Sequence, residues 1–214
     1  MKNTWRSLGV AAITAALCAG CVMGQKYNYA GVVGDAAATG NTRVGVATHD
    51  QRPYVLAGTK ASNVVGLLRG GFGNPFDVTT ESGQPLATDM TQALAASLAK
   101  KGFRTVTVVT TPKDTAESVL DRLKVMAGHS LIVMTLSEWR SDTLVNTGLY
   151  YEVTLRVFDP VGKELALARI QGADNLGSGI NTASYSRNAV AEAFKRKLEE
   201  LLNHPDVVRT LQRP

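Results

Sequence analysis

The chain has 214 residues, of which 44% are hydrophobic and 19% are charged, and its formal net charge is +5. This length and apolar content suffice for one domain with a sizeable core. The basic residues are spread along the chain without a cluster that interleaves aromatic residues, so the composition does not favour a nucleic-acid-binding protein.

The amino terminus is typical of a bacterial secretory signal. A short basic stretch precedes an uncharged run over residues 8–20, and this run is shorter than the roughly 20 residues that a membrane-spanning helix needs. The sequence Ala-Gly leads into Cys21 and resembles the lipobox of bacterial lipoproteins. The resemblance implies that residues 1–20 are removed as a signal peptide and that Cys21 receives a diacylglycerol and an amino-terminal acyl chain such as palmitate.

Two observations bear on this lipid anchor. Cys18 stands where the lipobox prefers leucine, which departs from the pattern, and an ordinary signal peptide cut nearby is the alternative. The chain has only these two cysteines, so no disulfide can form within the mature domain.

Val22 follows Cys21 where an aspartate would retain enteric lipoproteins in the inner membrane. By that analogy we expect an outer-membrane lipoprotein facing the periplasm, with the inner membrane as the alternative.

Residue periodicity predicts the elements that follow. Residues 21–41 lack a sustained period and are interpreted as a flexible tether after the lipidated Cys21, with a short strand at 27–29, which leaves residues 42–214 as the domain. Patterns of period 2 and 3.6 then predict, in chain order, a strand at 42–48, a helix at 85–101, a strand at 105–110, a helix at 114–127, strands at 131–136, 148–158 and 164–171, a helix at 185–203 and a short helical turn at 205–211.

This order predicts an α+β fold with a single domain. The first three strands are joined by helical crossovers and the later ones by a hairpin, which is typical of a mixed β-sheet flanked by helices.

The long connection between the first strand and the first helix is the most unusual part of the sequence. Loops of this length are often functional. Its glycines do not match a nucleotide-binding motif, because Phe76 stands where a dinucleotide fingerprint needs glycine and Phe72 stands where a Walker loop needs lysine. A partly apolar surface with a few cations instead suits an envelope protein, peptide or glycan. The candidate partner-binding residues are Asp50, Arg52, Tyr54, Arg69, Phe72, Asn74, Phe76 and Trp139.

A structural role for the same loop is the alternative. In that interpretation the glycines adopt positive φ angles, Phe72 and Phe76 pack the loop onto the sheet, and arginines of the loop pair with nearby aspartates.

The sequence offers no catalytic or metal-binding motif. The three histidines are scattered without the HExxH spacing of a zinc site. Glycines flank Ser178 directly, whereas a nucleophile elbow needs them two residues away on either side. We therefore predict neither catalytic residues nor a cofactor. A hydrolase using Glu138 and Asp142 is the less favoured alternative, since residues 137–142 are interpreted as an exposed charged turn that ends a strand.

Four motifs resemble the YajG-like family of uncharacterised envelope lipoproteins. They are HDQRPYV, VGLLRGGFGNPFDV, LATDMTQALAASLAKKGF and SEWRSD, and the similarity extends over most of the mature chain. The element order is also similar to the amino-terminal domain of TolB, which is a likeness of fold alone. The resemblance implies a location in the envelope and an architecture, and it supplies no reaction. From the residues themselves we predict a non-enzymatic lipoprotein that binds a periplasmic or membrane partner through the glycine-rich loop. The alternative is an accessory or assembly subunit of a transport or secretion complex.

Overall fold

One mixed β-sheet contains all the strands of the part of the chain that the computed structural model describes, which is residues 24–126, 129–179 and 182–212. In chain order the elements are β1 Lys26–Tyr27, β2 Arg43–Asp50, α1 Pro53–Leu56, β3 Val64–Arg69, β4 Pro75–Thr80, α2 Leu86–Ala99, β5 Arg104–Thr107, α3 Ala116–Met126, β6 Ser130–Thr143, β7 Thr147–Phe158, β8 Glu164–Asn175, α4 Thr182–Leu202 and α5 Pro205–Leu211.

Strand β6 organises the sheet. Along one edge its first half pairs in parallel with β2, and its second half pairs in parallel with β3. Along the other edge it pairs with β7, which continues as an antiparallel hairpin into β8. Strands β4 and β1 extend the sheet beyond β3, and β5 extends it beyond β2. The predicted α+β fold with a mixed sheet flanked by helices is confirmed.

Helices cover the two faces of the sheet unequally. Helices α2, α4 and α5 contribute to the main core, whereas α3 packs on a smaller cluster around Leu123 and Leu131. Helix α2 follows the prediction closely: it begins after Pro85 and buries Leu86, Met90 and Leu98 along one stripe. This pattern fixes which face of the sheet the helix covers.

The segment predicted to be a tether is packed against the domain from residue 24 onward. Residues 24–41, here called the amino-terminal strap, include β1, which pairs with the edge strand β4. Tyr27 and Tyr29 have no exposed surface. The centre of the Tyr29 ring lies 5.3 Å from the centre of the Phe194 ring and 6.2 Å from that of Trp139, and both contacts are edge-to-face. Tyr27 and Tyr29 alternate with exposed residues, as in a strand with one buried face. Burial of these aromatic rings is why the strap is part of the domain.

The predicted long loop is also corrected. It folds into α1 and into an antiparallel hairpin of β3 and β4. Only residues 70–74, here called the glycine turn, connect the two strands. Gly70 donates its backbone N–H to the carbonyl of Asn74 at 2.9 Å, and Gly73 has a φ of 81°. A bulge between Val64 and Gly66 breaks the alternation of β3, which hides the strand from a period-2 search.

The predicted charged turn at residues 137–142 is a continuation of β6. Trp139 and Ser141 are buried on the core face, while Arg140 and Asp142 are on the opposite face. A second register shift, between Leu136 and Glu138, interrupts the alternation here. The strand therefore extends to Thr143 instead of ending near Leu136.

Candidate functional site on the outer sheet face

The second half of β6, together with β3, β7 and β8, presents one face of the sheet to solvent. We call it the outer face, and it lies opposite the main core. Tyr150 on β7 is 40% exposed and Leu167 on β8 is 42% exposed. Alternation in these long strands explains the arrangement, because every second residue turns away from the core. The face is built on regular strands, so its side chains have fixed positions.

Two charge-bearing pairs lie side by side on this face. Arg69 of β3 donates two hydrogen bonds to the carboxylate of Asp142 on β6, at 2.8 and 2.6 Å. The guanidinium of Arg140 lies 4.8 Å from the centre of the Tyr150 ring, within the range of a cation–π contact. The hydrogen bond from Arg69 holds the pKa of Asp142 below its ordinary value, so this carboxylate is charged at neutral pH.

Tyr54 of α1 forms the border of the outer face. Its hydroxyl donates to Oε1 of Glu138 at 2.8 Å. Burial raises the pKa of Tyr54 above its ordinary value, and the hydrogen bond to Glu138 acts in the same direction, while the nearby guanidinium of Arg52 opposes them. The phenol is therefore protonated and donates a hydrogen bond throughout the physiological pH range.

Two depressions adjoin the Arg140–Tyr150 pair. The first has a volume of about 210 Å³ and is lined by Tyr54, Lys60, Leu67 and Arg140 among others. The second has a volume of about 360 Å³, includes Tyr150 in its lining and is more polar. Both are open; the first is smaller than the roughly 300 Å³ at which ligand pockets begin, and the second is only slightly larger. This shape suits protruding side chains or sugars of a partner better than an enclosed cofactor.

Three predicted site residues are in the interior instead of on a surface. Arg52 has no exposed surface, and Asp50 and Trp139 are each 1% exposed. Arg52 and Asp50 form an ion pair at 2.7 Å. The indole of Trp139 donates to the hydroxyl of Tyr29 at 3.0 Å. Their assignment to a partner-binding surface is corrected, because they have almost no surface with which to contact a partner.

The remaining predicted residues are at or near the surface. Arg69 and Tyr54 border the outer face, Phe76 is half-buried in β4, and Asn74 is exposed in the glycine turn. Phe72 is 99% exposed, so the expectation that it packs onto the sheet is wrong. Sequence reasoning missed Arg140 and Tyr150, although the alternation of β7 already placed Tyr150 opposite the buried positions of that strand.

The described parts of the chain contain neither a cluster suited to a metal ion nor a membrane-spanning helix. Within residues 24–126, 129–179 and 182–212, no three His, Cys, Asp or Glu side chains are close enough to hold a metal ion. Across the same ranges, no helix is both long and apolar enough to cross a membrane. The predicted signal peptide and Cys21 lie outside these ranges.

Comparison with known proteins shows similarity at the level of fold. Protein XCC0632 from Xanthomonas campestris, of the family DUF330, is 11% identical over 83% of this chain and 92% of that chain, with a TM-score of 0.52. At this identity the likeness establishes a shared fold and nothing about activity. No protein-family model matches the chain, and neither does any curated protein.

Two other solved structures are more distant. Lipoprotein GNA1162 from Neisseria meningitidis is 12% identical over 72% of this chain and 99% of that chain, with a TM-score of 0.35. A PelC dodecamer from Paraburkholderia phytofirmans is 16% identical over 81% of this chain and 96% of that chain, with a TM-score of 0.39. These scores are too low to establish a common fold. The resemblance to YajG-like lipoproteins stays a prediction from the sequence motifs.

Proposed function

We propose that this protein is a non-enzymatic lipoprotein of the bacterial envelope that binds another envelope component through its outer face, which includes β3 of the predicted long loop. The observation that carries the proposal is the pair of half-buried Arg140 and exposed Tyr150, which lies between two open depressions. The partner is a protein, peptide or glycan of the periplasm or of the membrane.

The chemistry of the pair supports recognition. Tyrosine and arginine are enriched among the residues that dominate binding energy at interfaces. The pair is held on neighbouring strands, where Arg140 and Tyr150 are directly opposite in the β6–β7 ladder. Binding therefore immobilises less side-chain freedom than it would on a flexible loop.

The surrounding groups add specificity to this surface. Arg69 and Asp142 neutralise each other, and their side chains are 35% and 20% exposed. A partner can therefore form hydrogen bonds with both the guanidinium and the carboxylate. Because these two groups stay paired with each other, neither charge is buried alone. Lys60 and Asp77 form a second exposed ion pair at 2.6 Å, and Lys60 also lines the first depression.

The anchor is the second part of the proposal. The lipobox-like sequence before Cys21 supports export and lipid attachment, and Val22 supports the outer membrane. Export would bring the outer face to envelope proteins and glycans, and a non-enzymatic role agrees with the absence of a catalytic motif in the sequence.

Crosslinking in living cells tests the partner. Wild type, Arg140→Ala and Tyr150→Ala are treated with a crosslinker, and the adducts are identified by mass spectrometry. We expect at least one envelope partner to be lost from both variants. Arg209→Ala is the matched control, because the Arg209 side chain is 65% exposed on α5 and makes only a local ion pair with Asp206.

Recovery of the same partners at the same yield from every variant would contradict binding through the outer face. Stoichiometric copurification with a membrane transport complex would support the accessory-subunit alternative. Incorporation of labelled palmitate into wild type and not into Cys21→Ser would support the anchor, and equal labelling of both would exclude it.

A further inference from the structure

Three turns at one end of the sheet contain no charged residue. They are the stretches 70–75, 144–147 and 175–179, with sequences GGFGNP, LVNT and NLGSG. In a chain with 19% charged residues, neighbouring surface turns that lack any charge are unusual. An end without charges can be placed against an apolar environment without desolvating an ion.

The strand register brings these turns together. Leu68 near the end of β3 is opposite Thr143 at the end of β6, so the glycine turn and the β6–β7 turn leave the sheet at the same level. Thr147 donates its backbone N–H to the carbonyl of Gly177 at 2.8 Å, which adds the stretch after β8. We call this combined surface the uncharged end.

Large apolar side chains project from the uncharged end. Phe72 is 99% exposed, Val145 is 68% exposed and Leu144 is 51% exposed. They come from the two neighbouring turns that follow β3 and β6. Behind them the nearest charged residues on β3 and β6, Arg69 and Asp142, are paired with each other.

The chain enters the domain from the same direction. Strand β1 runs parallel to β4, with Lys26 opposite Thr79. Strand β4 begins beside the glycine turn and runs away from it, so the residues that precede β1 lead back toward the uncharged end. Gly24 is already level with the carbonyl of Asp77.

The reach of the chain then limits where a lipid on Cys21 can be. Cys21 lies three residues before Gly24, and an extended chain covers at most about 3.3–3.6 Å per residue, or roughly 10 Å in all. Strand β6 has 14 residues, which at about 3.3 Å each makes the sheet roughly 45 Å long. A lipid on Cys21 therefore reaches the uncharged end and cannot reach the opposite end.

We propose that the uncharged end is a membrane-contact surface, and that Phe72, Leu144 and Val145 insert into the interfacial layer of the bilayer that holds the lipid of Cys21. The inference rests on the proposed lipid anchor. Apolar side chains at this depth add to the affinity that acyl chains provide. Turns without charges insert without desolvating an ion. The outer face then stands alongside the bilayer, open to partners.

The opposite end of the sheet supplies a matched control. The β7–β8 turn there exposes Val161 by 79%. Unlike the uncharged end, it carries Asp159 and Lys163 within a few residues. Val161 is therefore an exposed valine among charged residues, and a label at this position should report contact with water.

Site-specific fluorescence in vesicles tests the proposal. Because Cys21 is the only cysteine expected in the mature chain and carries the lipid, Phe72→Cys, Val145→Cys or Val161→Cys each introduces a single free thiol. Each lipidated variant is labelled with a thiol-reactive nitrobenzoxadiazole dye and reconstituted into vesicles of phosphatidylethanolamine and phosphatidylglycerol. We expect a blue shift and strong quenching by spin-labelled lipids for labels at 72 and 145, and neither for the label at 161.

The outcomes separate the two proposals. Vesicles that retain the protein while labels at 72 and 145 report water, as at 161, would overturn membrane contact and leave the anchor intact. A blue shift that spin-labelled lipids do not quench would indicate a protein contact, such as a second copy, and would also overturn it. Protein that neither carries palmitate nor floats with the vesicles would overturn the anchor and, with it, the membrane-contact surface.

Discussion

The buried ion pair between Asp50 and Arg52 should be among the most sensitive points of the fold. Both side chains are almost fully inaccessible, at 2% and 0% exposure. The guanidinium donates to both carboxylate oxygens at 2.8 and 2.7 Å, and also to the carbonyls of Val64 and Ser62 at 2.8 and 2.9 Å. Arg52 thus joins β2 to the start of β3.

Removing one partner of this pair leaves the other charge buried without compensation. Such changes typically cost about 3–5 kcal/mol of unfolding free energy, out of a typical total of about 5–15 kcal/mol. We expect Asp50→Asn and Arg52→Met each to lose stability in this range. The double variant should lose less than the sum of the two, because neither charge then stays unpaired.

Urea denaturation of the mature chain, made soluble by Cys21→Ser, measures these losses by linear extrapolation. Lys60→Met is the control, because the Lys60–Asp77 pair has a similar distance of 2.6 Å but side chains that are 39% and 42% exposed. Such an exposed pair should contribute no more than about 1 kcal/mol. Losses below about 1 kcal/mol in both single variants, or strictly additive losses in the double variant, would show that removing one partner leaves no uncompensated buried charge.

Two further predictions follow from close contacts in β3 and β6. Gly66→Ala should destabilise the fold by about 1–3 kcal/mol in the same urea assay, because the new Cβ would lie 2.7 Å from the backbone oxygen of Ser141. Gly71→Ala is the control and should be neutral, because no atom lies within 4 Å of its new Cβ. Equal losses of stability in the two variants would contradict this prediction. Because Arg69 lowers the folded-state pKa of Asp142, the carboxylate stabilises the fold above its unfolded pKa of about 3.9 and loses this effect as pH falls through the lowered value. The stability difference between wild type and Asp142→Asn should therefore shrink on acidification, and a pH-independent difference would disprove the assignment.

Elements with an unbroken period were predictable from the sequence. Helix α2 combines a proline start with a continuous apolar stripe, and β7 alternates without interruption. In such segments, local pattern and tertiary burial agree, so the sequence alone assigns the buried face of each element. The hairpin of β7 and β8 was predicted on the same basis.

The elements that were missed have interrupted patterns. Register shifts in β3, after Val64, and in β6, after Leu136, change which face the following residues take, so a search for strict alternation ends too early. The candidate site depended on these two strands. Without the second half of β6, the position of Arg140 beside Tyr150 could not be inferred, and Trp139 was placed on the surface instead of in the core.

The amino-terminal strap also determines when the domain can finish folding. Ala37 donates its backbone N–H to the side chain of Asn203, and Gln25 donates to Ser186 on α4. The strap is among the first parts of the chain to be synthesised, and its partners on α4 are among the last. Contacts this far apart in sequence slow folding because a very long loop must close before they form. The core around Tyr27 and Tyr29 is therefore sealed only after α4 has emerged, and until then the exposed aromatic rings are a target for chaperones and for aggregation.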